Sequence, residues 1–161
     1  MSGLHLHLVL AHLPVIGVIL GTLLLLIGMF RKSRSLQQTG LALLVVSGLA
    51  AAGTYLTGEG AEEMVENRLS GAETLVEHHE EAALIGLVLL GVTAVVATLT
   101  LILGWTGRPL SGALVTVTIL LGLASSGTFA WVANLGGQIG HPEIRSGGVS
   151  IRSGEGEDRE H

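Results

Sequence analysis

The chain has 161 residues, of which 48% are hydrophobic, 13% charged and 3% aromatic, with 24 Gly and no Cys. Soluble domains carry about 25% charged residues, so half the usual charge is missing, and a surface facing a lipid bilayer is the expected partner. The absent cysteine excludes a disulfide framework, a thiolate metal site and a cysteine nucleophile, and a net charge of −5 argues against nucleic acid, whose phosphates demand a basic face.

Four apolar runs follow in chain order, each long enough to cross a bilayer as a helix at 1.5 Å per residue. They cover about 4–30, 41–57, 82–103 and 110–133. None alternates as a barrel strand would, and backbone polar groups inside lipid require the helix. The expected fold is an all-α integral membrane four-helix bundle over residues 1–145, with both termini on the same side. The first run carries no Lys or Arg before it and no small-residue cleavage site after it, which reads as a retained helix rather than a signal peptide. Within the acidic second connection, Glu59, Glu62, Glu63 and Glu66 fall at helical spacing, and Met64, Val65 and Leu69 lie away from them. A short amphipathic surface helix over about 59–69 is expected there. The Gly/Ser/charge-rich stretch 146–161 reads as a disordered tail.

Charge sorts this topology into two sides. All 13 acids and all seven histidines fall with the termini and the second connection, while the opposite side has only Arg31, Lys32, Arg34 and Arg108. By the positive-inside rule the basic side is cytoplasmic. The histidine cluster then lies on the outer, periplasmic side of a bacterial cytoplasmic (inner) membrane.

Several helix ends thus deliver imidazoles to one side of the bundle. Histidine is tolerated at interfaces, so the clustering has a plain reading; a haem or metal site is the chemical one. In Leu4-His5-Leu6-His7-Leu8-Val9-Leu10-Ala11-His12-Leu13-Pro14, Pro14 cannot bond back to Leu10. A start or kink there would turn His12, the deepest of the three, inward. Glu77-His78-His79-Glu80-Glu81 opens the third helix, and adjacent histidines diverge by about 100°, so at most one can face the bundle. No Glu stands three residues before any His, which disfavours a di-iron carboxylate bundle. At Asn134-Leu135-Gly136-Gly137-Gln138-Ile139-Gly140-His141-Pro142, two glycines are expected to stop the fourth helix and let His141 fold back. Arg145 could then meet a carboxylate such as a haem propionate.

With these motifs the sequence resembles a family of small four-helix bacterial membrane proteins classed as a domain of unknown function. The resemblance rests on His7, His12, Pro14 and Gly17 at the opening, Thr57-Gly58 ending the second helix, His79 starting the third, and Leu135-Gly136-Gly137 with His141 at the close. It covers roughly residues 4–145; His5, His78 and the long acidic connection depart from it. It implies the fold and topology, and a suspicion of haem or metal bound by histidines in an electron-transfer setting. The expected function is accordingly a membrane protein binding b-type haem (haem b) for electron transfer, with His12 and His79 as first-choice axial ligands. His141, His7 and Arg145 complete the candidate site. The alternatives are a divalent transition metal on His12, His79, His141 and His7 with Glu80 or Glu81 as oxygen ligands, or a non-catalytic scaffold within a larger membrane complex. Other membrane redox subunits and a second copy of the chain are the protein partners considered. No serine nucleophile motif, phosphate loop or HExxH stands in the chain, so an enzyme is not favoured.

Overall fold

The computed structural model describes residues 3–58, 73–105 and 110–141, with side chains from residue 10 onward in the first segment and from 74 in the second. The expected helix at 59–69, the tail 146–161 and Arg145 lie outside the described residues. Among the described residues there are four helices: α1 (Gly3–Phe30), α2 (Arg34–Leu56), α3 (Glu73–Trp105) and α4 (Gly112–Gly140). Each is long and apolar enough to span a membrane. α1 packs on α2, α2 on α3, α3 on α4, and α4 closes back on α1, so α1 and α3 are diagonal neighbours.

Three helix limits differ from the hydropathy reading by more than two residues, each by extension. α2 begins at Arg34 instead of 41, α3 at Glu73 instead of 82, and α4 runs to Gly140 instead of 133. Hydropathy marks the lipid-depth part of a helix, whereas hydrogen bonding continues through polar turns outside it. Ser33 caps α2 by accepting from the Leu36 amide at 3.4 Å. Gly136 and Gly137 do not stop α4, whose last bond is the His141 amide to the Gly137 carbonyl at 2.9 Å. Nor does Pro14 end α1: it lies inside the helix with its ring fully buried.

The bundle is apolar outside, and inside it mixes hydroxylated and small residues with large apolar ones. Only 28–33% of the most apolar stretch of each helix is buried, and large aliphatics such as Ile16, Leu23, Leu49, Val95 and Leu120 are exposed. Exposure of this kind on every helix is what a lipid-facing surface needs and what water would oppose. Buried instead are Thr22, Ser47, Thr93, Thr100, Thr118 and Ser125, beside Val18, Leu25, Leu44 and Leu90. Thr22, Ser47, Thr93, Thr100 and Thr118 each donate to the carbonyl four residues back, so none needs water. Glycine supplies the holes: Ser47 Oγ sits against Gly17 and Thr22 Oγ1 against Gly122, where no Cβ would fit.

Candidate functional site

The candidate site is the end of the bundle where α1 and α3 begin and α2 and α4 finish. The core face of α3 is set by Val76, Ala82, Gly86, Leu90, Thr93, Ala97 and Thr100. His79 stands seven residues before Gly86, on this stripe, and is half-buried, whereas His78 beside it is exposed. The 100° step between neighbours thus decides which of the two imidazoles faces the bundle, as expected.

The His79 ring is seated on α4. A Cβ placed on Gly136 would lie 3.2 Å from its Cε1 and 3.6 Å from Nδ1, and that Nδ1 is shielded from solvent. Gly136 therefore serves as a notch for the imidazole rather than as a helix stop. One heptad deeper the exchange is reversed. There α3 contributes the glycine, Gly86, and α4 the bulk, Phe129, whose ring lies 3.4 Å from where a Gly86 Cβ would stand. Phe129, only 6% exposed, forms an apolar floor about 10 Å beneath His79. Sequence reasoning missed both glycine partnerships; the seven-residue spacing of His79 to Gly86 and of Phe129 to Gly136 was the available signal.

His12 is not turned inward. It is exposed, while the buried positions of α1 from residue 10 onward are Pro14, Val18, Gly21, Thr22, Leu25 and Gly28. Pro14 follows His12 by two residues, a 200° rotation, and unbroken helix through Pro14 holds that phase. Position 7 belongs instead to the stripe of Pro14, Gly21 and Gly28, each a heptad apart. The side chain of His7 lies outside the described residues, but its helical position is fixed by α1.

Levels along the bundle follow from the glycine contacts. Thr22 of α1 meets Gly122 of α4, and Thr93 of α3 bonds Ser125 of α4 at 3.0 Å, so Thr22 is level with Val96 of α3. Stepping fifteen residues back along both helices brings position 7 level with Glu81. The route through α2, by Gly17 with Ser47 and Gly48 with Ala94, gives Ile85. Position 7 therefore stands within roughly 3–9 Å of the His79 level along the axis, on the diagonal helix. His12 is deeper as well as on the outer face.

His141 is the exposed C-cap of α4. Glu77, Glu80 and Glu81 are exposed too, so the expected oxygen ligands turn away from the face that His79 occupies. Among the described residues no group of three or more His, Cys, Asp or Glu comes together as a metal site. Among the described side chains, the imidazole that remains on a core stripe is that of His79.

No family model matches the chain, and no relative is found among curated proteins or among solved structures.

Proposed function

We propose that the protein is an integral membrane electron-transfer protein that binds b-type haem at the histidine end of its bundle. What supports the reading is one juxtaposition: His79 on the core stripe of α3, seated on Gly136, with position 7 of α1 near its level and in heptad register with Pro14, Gly21 and Gly28. His79 and His7 would hold the haem, replacing the pairing of His12 with His79 that the sequence alone favours. The haem, when bound, supplies one-electron redox chemistry at its iron. The chain's own part is to orient the His79 ring through Gly136 and to close the apolar side below it with Phe129. The membrane is the bacterial cytoplasmic membrane, with both termini and this end outside and the Arg31–Arg34 turn inside. Reporters fused at Ser35 and at the C-terminus should label inside and outside respectively.

The absorption spectrum of protein purified from haem-replete cells tests the reading. A strong Soret band is expected, lost in His79→Ala and in His7→Ala and retained in His12→Ala, with thermal melts confirming that each variant folds. A colourless folded protein, or a band indifferent to His79→Ala, overturns it and favours a scaffold in a larger complex.

A further inference from the structure

At the opposite end of the bundle, α1 turns into α2 through three residues, Arg31 to Ser33. The Ser33 amide donates to the Gly28 carbonyl at 2.9 Å and the Lys32 amide to the Met29 carbonyl at 3.2 Å. This is the helix ending whose left-handed position is ordinarily glycine. Here that position is Lys32, at φ 51°, the one non-glycine residue with positive φ among those described. A chain holding 24 glycines has a lysine where the backbone asks for glycine, which points to use of the charge. Arg31, Lys32 and Arg34 are all exposed, and among the described residues no Asp or Glu lies at this end. Arg34 also reaches across to α3, donating to the Gly104 carbonyl at 2.5 Å, which ties the basic turn to the α2–α3 seam.

Below them the same seam opens outward as an apolar groove of about 330 Å³, lined by Val45, Gly48, Leu49, Gly91, Val95 and Leu99 among others. Gly91 has nothing within 4 Å of where a Cβ would stand, so the groove is unfilled beside it. Val45 lies eleven residues along α2 from Arg34, roughly 16 Å. Half of a bilayer's hydrocarbon core is about 15 Å, so a lipid chain hanging from the level of Arg34 reaches this groove.

We propose that the turn and the groove together form a binding site for one anionic phospholipid, its phosphate headgroup at Arg31, Lys32 and Arg34 and one acyl chain in the α2–α3 groove. Charge selects the occupant: a neutral lipid or a partner helix would fill the groove without using the lysine. The inference rests on the membrane reading and is independent of haem.

Native mass spectrometry of the full chain in detergent, titrated with phosphatidylglycerol or with phosphatidylcholine of identical chains, tests it. One phosphatidylglycerol is expected to be retained in preference to phosphatidylcholine, and inorganic phosphate should not compete at equal concentration. The double variant Arg31→Gln, Lys32→Gly relieves the backbone and removes two charges; it should bind phosphatidylglycerol about thirtyfold more weakly. Gly91→Phe fills the groove and should weaken retention with the cations intact. Equal retention of the two lipids, or undiminished phosphatidylglycerol binding in the charge variant or in Gly91→Phe, overturns the proposal.

Discussion

The middle of the bundle and its histidine end are both built by setting a polar side chain against a glycine, yet they differ in what the polar group can do. At mid-span the hydroxyl of Thr22 or Ser47 is small enough to bond to its own helix, at 2.7 Å in each case, while Gly122 or Gly17 makes room for it. The polar group is satisfied within its own chain segment, and the result is close helix packing with nothing left to offer a ligand. At the histidine end the imidazole is too long to fold back in that way. Its ring is positioned by the neighbouring helix, through Gly136, and a ring carries two nitrogens where a hydroxyl carries one oxygen. The same packing device thus closes the middle and equips the end.

The difference can be broken first where the glycine faces backbone. A Cβ on Gly40 would stand 2.7 Å from both the Gly21 carbonyl oxygen and the Leu25 amide nitrogen, neither of which can turn aside. Gly40→Ala should therefore push α1 from α2 and cost about 3 kcal/mol, the upper part of the overpacking range, read as a fall in melting temperature in detergent. At the histidine end the cost should be smaller and conditional on His79. Gly136→Ala brings a Cβ to 3.2 Å from the ring, which must give by a few tenths of an ångström. In a His79→Ala background that contact is gone, and the same substitution should stabilise α4 by up to about 1 kcal/mol through helix propensity. A double-mutant cycle measures the coupling; additive effects would remove Gly136 from the account of the site.

These partnerships also show where the sequence is legible. The four long apolar helices are plain from composition, because uninterrupted apolar runs of that length have no other way to satisfy their backbone out of water. The choice of His79 over His78 as the bundle-facing residue is open in the sequence and closes once Val76, Ala82 and Gly86 define the stripe. The exposure of His12 is not legible for a physical reason: depth follows from distance along the helix, while facing depends on phase. The heptad linking position 7 to Pro14, Gly21 and Gly28 carries that phase. It is hidden because helices apolar all round show no amphipathic stripe to calibrate against. Gly136 is misjudged because propensity treats glycine as a stop in water, whereas between packed helices it is a seat.

The mid-span hydroxyls can be tested singly. Thr93 donates to the Leu89 carbonyl at 2.8 Å and shares a bond with Ser125 at 3.0 Å, joining α3 to α4. Thr93→Val keeps the shape and removes that bond. The expected loss is about 0.6 kcal/mol, the average for such bonds between membrane helices. A much larger loss, or melting of the histidine end alone, would mean that the hydroxyl middle is not closed but coupled to the site above it.

The smallest effect sharpens the comparison most, because it asks whether every glycine in the chain is a seat. Gly127 of α4 lies between Ser125 and Phe129 in sequence, yet it is exposed, and a Cβ there would meet nothing within 4 Å. If glycine were used only for helix approach, this position would have no reason to be tight, and Gly127→Ala should stabilise the protein by about 0.5 kcal/mol through backbone entropy alone. The substitution touches neither the Gly86–Phe129 contact nor the His79–Gly136 contact, so any haem spectrum should stay as it is. A gain in melting temperature with an unchanged oligomeric state would assign Gly127 to the lipid face. A loss of stability together with dissociation of a larger assembly would instead show that this face of α4 is covered by a second chain, and that the seats of the bundle continue outside it.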